Sequence, residues 1–181
     1  IVYSLAYGDQ PALICEQVDW ARAAGFEVVA AGKGTKYLPA YHASTPETVW
    51  GHYGFTPEMV AKGDFNAQMF NSFLDGTKSA IEMAAVANAT GLRAAPGGLE
   101  FPPCGVDDLA RVLRPKADGG HLHHRGQVEV ISSVERDGRR GIARPAVDSI
   151  LLGAGKRRLG RGEQGRKGGL CKCFQVESPL Y

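Results

Sequence analysis

No apolar run reaches the roughly 18 residues that a membrane-spanning helix needs, so a helical span is excluded. Cysteine is scarce. Cys15 and Cys104 stand alone in the body, and Cys171 and Cys173 lie close together near the end. That is too sparse for a disulfide framework, and reduced thiols in a cytoplasmic protein are the simpler reading. The opening residues do not read as a secretory leader, with its basic start, apolar core and small-residue cleavage site, and none is expected here. The chain begins at Ile1 rather than Met and runs straight into an apolar segment, so the expectation is a fragment of a longer protein. No Ser-His-Asp or Cys-His set is legible, because such sets are defined by geometry and not by chain order.

The chain has 181 residues, enough for one ordinary domain or a domain with a tail. Hydrophobic residues make up 44% and charged residues 22%, which excludes wholesale disorder. The net charge of +2 hides a split. Residues 1–138 carry 11 Lys and Arg against 16 Asp and Glu, a net of −5. Residues 139–181 carry 10 against 3, a net of +7, the signature of a basic tail.

Ile1–Tyr7 reads as a buried strand closed by Gly8-Asp9. Gln10 to Ala24 reads as a helix, with Asp9 as N-cap, Pro11 in the first turn and Gly25 as its stop. Phe26–Ala31 is a second strand, and the three elements form a βαβ unit, expected to be parallel and right-handed. Gly32–Tyr41 then reads as a loop at the carboxyl end of that strand, where open α/β sheets bind ligands. Thr45-Pro46-Glu47 and Thr56-Pro57-Glu58 read as two helix starts, and Asn66 to Asn88 as mostly helical with Gly91 as C-cap. Val106–Leu113 reads as a short helix, with Asp107 and Asp108 in its first turn. Gln127–Arg136 alternates like a half-exposed strand, and Asp137-Gly138 signals a hairpin. The Arg/Gly-rich stretch beyond it, with one apolar patch at Ile150–Leu152, lacks the alternation of a return strand.

Three groups could carry chemistry. Gly32-Lys33-Gly34-Thr35-Lys36 offers close backbone approach and two cations for a phosphate, a carboxylate or a polarised carbonyl. The spacing of a P-loop is absent, and a solvated turn is the plain alternative. Asn71 to Lys78 places amides and Asp75 at the start of an apolar helix, where they either face a ligand or simply cap. His121, His123 and His124, even with Cys171 and Cys173, match no zinc spacing, and no metal site is expected. The basic tail could touch nucleic acid through phosphates, but it lacks interleaved aromatics, so nucleic acid is not a favoured partner.

The segments YSLAYGDQPALICEQVDWARAAGFEVVAAGKGTKYLPAY, STPETVW, FNAQMFNSFLDGTKSAIEMAAVANATGL, LEFPPCGVDDLARVLRP and GQVEVISSVERDGR, in that order, resemble the homoserine dehydrogenase-like NAD(P)-dependent oxidoreductases. The branch is the one that includes the deoxyxylulose-phosphate reductoisomerase-like enzyme, and its members often carry a SAF domain. The resemblance implies an α/β fold: a partial Rossmann βαβ followed by part of an α+β catalytic and oligomerisation domain. Residues 1–41 would be the closing part of the NAD(P)-binding domain, 42–138 part of the catalytic domain, and 139–181 a basic Gly/Arg-rich tail, disordered or read in a shifted frame. The Gly-rich dinucleotide fingerprint is missing and is expected upstream. Ala31-Gly32-Lys33 is similar to the Ala-Asn-Lys that lies beside the nicotinamide in that family. Asp75-Gly76-Thr77 is similar to its Asn-Gly-Thr.

The resemblance therefore implies NAD or NADP as cofactor, with Ala31, Gly32 and Lys33 near it. It implies hydride transfer to or from a small polyol, a sugar acid or a phosphorylated sugar. The expected catalytic residues are Lys33, Lys36, Asp75 and Lys78. Lys33 sits at the substrate, and Lys36 and Lys78 steer or bind an anionic group. Asp75 hydrogen-bonds hydroxyls or relays a proton, and Asn71 and Thr77 bind substrate. The expected partners are a small molecule and, in the longer protein, further copies of itself, with no membrane. This chain alone is expected to be inactive. The alternative is a non-enzymatic interaction module with a basic, nucleic-acid-touching tail.

Overall fold

The computed structural model describes residues 9–134 together with the strand backbones of 149–154 and 171–176. The expected strand Ile1–Tyr7, the Asp137-Gly138 hairpin and the remainder of the basic stretch lie outside the described residues.

Helix α1 (Gln10–Ala23) starts after extended Asp9, with Pro11 in its first turn; Asp9 makes no side-chain cap. It ends at Ala24, and Gly25 takes a φ of 83° that a side chain would resist. Strand β1 (Glu27–Thr35) follows and is longer than the sequence suggests. Gly32 and Lys33, expected in a loop, lie inside the strand, which is buried from Val28 to Gly34. The cause is a partner far along the chain. β2 (Gln127–Ser132) pairs in parallel with β1 from Ala30↔Gln127 to Thr35↔Ser132, and this holds the Gly-Lys-Gly segment extended. β2 is also shorter than expected and buried at every position rather than half-exposed.

The sheet order is β2-β1-β3-β4, with β3 (Ser149–Ala154) and β4 (Cys171–Val176) added antiparallel. Two segments of the basic stretch are thus strands. The Ile150–Leu152 patch lies in β3, opposite Ala30–Gly32 of β1.

Helices cover both faces of the parallel pair. On one face, Ile14 and Val18 of α1 and Met83 and Val86 of α5 (Thr77–Thr90) pack on Ala31, Val128 and Val130. On the other, Leu109 and Val112 of a short helix pack with Leu122 on Val29 and Ile131. Each such fully buried aliphatic side chain is worth about 1.5–3 kcal/mol relative to exposure. This is a mixed α/β fold with a parallel pair at one edge of the described sheet, consistent with a partial Rossmann-like reading.

Between β1 and α5 the chain makes three short helices, α2 (Val49–Tyr53), α3 (Pro57–Lys62) and α4 (Ala67–Leu74). Thr56 caps α3 through the Met59 amide at 3.3 Å, as its sequence predicts. The Thr45 start is displaced: residues 45–48 turn first, and the helix begins at Val49. Trp50, Tyr53, Phe55, Phe65 and Phe70 stack and tilt against one another in a satellite core. The helix expected over Asn66–Asn88 is two helices, because Gly76 takes a φ of 92° and breaks the run. Gly91 caps α5 in the left-handed region, as expected. The helix foreseen over Val106–Leu113 is a 3-10 turn, Val106–Asp108, followed by α6 (Leu109–Val112).

Candidate active site

Lys33 lies two residues before the carboxyl end of β1 and is only 6% exposed. Its ammonium is held from two helices. Glu82, in the second turn of α5, makes a direct buried ion pair with it, and Gln10, at the start of α1, accepts a hydrogen bond at 3.3 Å. Glu82 is itself 9% exposed. Its other oxygen faces Lys78 at 3.7 Å. Lys78 is half-exposed and rests its ammonium 4.6 Å above the Phe73 ring. One carboxylate therefore stands between an interior lysine and a surface lysine.

Gly32 has a packing reason to be glycine. A Cβ there would stand 1.7 Å from the Glu129 carbonyl oxygen, so no side chain fits between β1 and β2 at that register. Ala31 is buried in the core against α1 and α5. Lys36 lies beyond the strand and is exposed.

A second polar group sits at the α4–α5 junction. Asp75 accepts from Asn71 Nδ2 at 3.0 Å and from the Thr77 backbone N–H at 2.8 Å, the latter being an N-terminal cap in all but name. The His42 Nδ1–H donates to the Asp75 carbonyl at 3.1 Å. Asn71 is 6% exposed, and its Oδ1 is buried with no hydrogen-bond partner among the described residues. A buried unpaired acceptor costs about 1–3 kcal/mol, so this amide lacks a donor it could use.

The structure thus brings Lys33 and Lys78 together through Glu82. It brings Asn71, Asp75 and Thr77 together one turn earlier. Lys36 joins neither group.

Beside the junction lies the turn that carries Phe101. Phe101 has a φ of 49°, in the left-handed region that costs a non-glycine residue of order 1–3 kcal/mol. Its ring stacks on Tyr37 with centroids 4.0 Å apart and lies against Gly76. Glu129 holds this turn. Its carboxylate, buried in β2, accepts from the Glu100 N–H at 3.0 Å and from Gln127 Nε2 at 3.1 Å. Burial pushes the Glu129 carboxyl up, against the hydrogen bonds from Val130, Glu100, Phe101 and Gln127 that favour its ionised form. The Glu100 side chain, by contrast, accepts from His123 Nε2 at 2.5 Å, and this bond above all holds it below the usual carboxylate range, with Lys116 nearby adding to it.

Glu82, Gln10 and Glu129 were not expected at the site. Only the i, i+4 spacing of Lys78 and Glu82 was a local signal. The Lys33–Glu82 pair spans 49 positions and leaves no trace in any window of sequence. The histidine cluster is used otherwise: His123 serves Glu100, and His124 Nε2 lies 3.3 Å from the Ala94 carbonyl. Among the described residues no group of three or more His, Cys, Asp or Glu is placed to hold a metal ion. Nor is any helix among them long and apolar enough to cross a membrane.

No curated protein matches the chain. The family described as oxidoreductase DRL, catalytic domain, matches residues 8–143, which include β1, α5, β2 and every residue of the two polar groups. A match over that much of the sequence shows the family: the chain belongs to the oxidoreductase DRL catalytic-domain family.

Proposed function

We propose that the protein transfers hydride between NAD(P) and a small polyol, sugar acid or phosphorylated sugar, in the manner of the homoserine dehydrogenase-like enzymes. The observation that carries the reading is Lys33: a buried, ion-paired ammonium at the carboxyl end of a parallel strand, where α/β folds bind cofactor and substrate. In this reading residues 1–41 lie nearest the nicotinamide, 42–138 supply the substrate contacts, and 139–181 are the basic segment, which lends β3 and β4 to the sheet. The SAF domain common in the related branch, a homo-oligomeric assembly and a cytoplasmic location belong to the same reading.

The residues present suit the nicotinamide end of the cofactor. They offer an ammonium donor at Lys33, which Ala31 and Gly32 precede in β1, and at Asn71 an amide oxygen with no hydrogen-bond partner among the described residues. A seat for the pyrophosphate, which needs a Gly-rich turn at a helix start, is not among the described residues. When bound, NAD(P) supplies or takes the hydride. Lys33 polarises the substrate oxygen and stabilises the negative charge that develops there. Lys78 gives an anionic group its first cation. Asn71 Oδ1 accepts from a substrate hydroxyl, and Asp75 holds the Asn71 amide in place for it.

The test is Lys33→Ala in the full protein that carries this chain. NADPH oxidation is followed with 1-deoxyxylulose 5-phosphate as the phosphorylated sugar and with homoserine as the contrast. Turnover should fall about 10²- to 10³-fold, the usual loss for one electrostatic donor. Unchanged steady-state kinetics would remove Lys33 from the site.

A further inference from the structure

We infer that Glu82 is a positioning residue, which fixes Lys33 as a charged donor with a single free N–H for the substrate oxygen; this rests on the reading of Lys33 given above. An ammonium has three N–H donors. Glu82 takes one and Gln10 another, and the two acceptors reach Lys33 from different helices packed on the same face of the sheet. No further acceptor for Lys33 is present among the described residues. Two fixed N–H vectors on a tetrahedral nitrogen determine the third. The remaining N–H is therefore held in one direction without the substrate having to order it, which is the benefit of preorganisation.

Stability alone does not account for the pair. Two buried charges are expensive to desolvate, and well-packed apolar residues of similar volume commonly do as well or better. Apolar neighbours are at hand: Met83 and Val86 follow Glu82 on α5, and Ala31 precedes Lys33 by two positions on β1. The carboxylate also has a second tie. Its outer oxygen faces the half-exposed Lys78 at 3.7 Å, while its inner oxygen holds Lys33 in the interior. Glu82 acts on the reaction only through Lys33, and Lys78 can change its contacts without moving the interior pair.

The test has two readouts on the full protein. The first is the slowly exchanging ammonium signal of Lys33 in a lysine-selective proton–nitrogen NMR correlation, assigned by its loss in Lys33→Met. It should vanish in Glu82→Gln, survive in Glu82→Asp and survive in Lys78→Met. The second is NADPH oxidation with 1-deoxyxylulose 5-phosphate. Glu82→Gln should lower kcat about 10- to 100-fold with KM nearly unchanged, as misplacement of a donor does. Glu82→Asp should restore most of it, and Lys78→Met should raise KM instead. Gln10→Leu alters the less buried anchor and covers the case in which Glu82→Gln does not fold; it should broaden the signal and lower kcat severalfold.

A Lys33 signal that persists in Glu82→Gln, or kcat unchanged in both Glu82→Gln and Gln10→Leu, would overturn the assignment. Failure of the wild-type protein to turn over either probe would overturn the reaction itself, a different result from a fast Glu82→Gln variant.

Discussion

Consider removing the two charges of the interior pair one at a time and then together. Lys33→Met leaves Glu82 buried beside Lys78, whose ammonium is 3.7 Å away and half-exposed. Glu82→Leu leaves Lys33, a residue only 6% exposed, with the neutral Gln10 oxygen at 3.3 Å as its one remaining partner among the described residues. Stripping one partner from a buried pair typically costs about 3–5 kcal/mol, because the survivor keeps its desolvation cost and loses its counter-charge. The structure makes the two losses unequal. Lys78 can move over Glu82, so Lys33→Met should fall at or below the lower end, about 2–3 kcal/mol. Nothing charged replaces Glu82, so Glu82→Leu should reach the upper end, about 4–5 kcal/mol. The double variant removes both charges and fills the space with apolar atoms beside Met83 and Val86. It should lie within about 1 kcal/mol of the wild type. The coupling is then several kcal/mol, far beyond the additivity expected of independent sites. Urea unfolding followed by far-ultraviolet circular dichroism at pH 7 measures it: with a slope near 1–3 kcal/mol per molar, each single variant should move its midpoint by about 1 M or more. The double variant should unfold near the wild-type midpoint and be inactive. A double variant as unstable as the sum of the singles would refute the pair as described.

Two further outcomes test the surroundings. Gly32→Ala must push the Glu129 carbonyl away from a Cβ that would lie 1.7 Å from it, whereas Gly91→Ala meets open space and only the cost of its φ of 72°. The first should destabilise by more than about 3 kcal/mol and loosen the β1–β2 pair, and the second by about 1–2 kcal/mol; equal thermal shifts would contradict the register. For Glu129, a native value raised above the unfolded one means a contribution to stability that is full below the unfolded carboxyl range and is lost as pH rises through the raised native value. Glu129→Gln carries no such charge, so its stability relative to wild type should improve between pH 4 and pH 7. A relative stability that worsens over that interval, read from urea midpoints, would mean that the hydrogen bonds to the carboxylate outweigh its burial.

Local features of the sequence carried over well where the physics is local. Thr56 caps, Gly25 and Gly91 terminate, and Pro11 occupies a first turn, because each depends on one or two backbone dihedrals within a few residues. The errors arise where a distant segment decides. Gly32-Lys33-Gly34 has the composition of a loop, and alone it would be one. It is a strand because β2, almost a hundred positions later, supplies a ladder that glycine lets approach closely. Gln127–Ser132 shows an alternating pattern with Glu129 at a seemingly solvent-facing position, yet both faces are covered and Glu129 is 3% exposed. Alternation reports one wet face only when the polar residue has water as its partner, and here its partners are the backbone of residues 100 and 101 and Gln127.

The same reasoning explains why the sequence singles out Lys33 and not the carboxylate that pairs with it. Lys33 follows Val28–Ala31 at the end of an apolar run, and a cation placed at a strand end draws attention in sequence. Glu82 sits in an Ala-rich helix where one acid in fourteen residues reads as solvated surface. Its burial follows from α5 packing on α1 and on the sheet with the Met83 and Val86 side inward, which carries Glu82 to the edge of that contact, facing the end of β1. In the proposed reading, the chemistry of Lys33 depends on two helices that deliver acceptors to one residue. The site is a property of the packing of α1 and α5 on β1, and a substitution that shifts either helix by about an ångström should reduce turnover before it unfolds the protein.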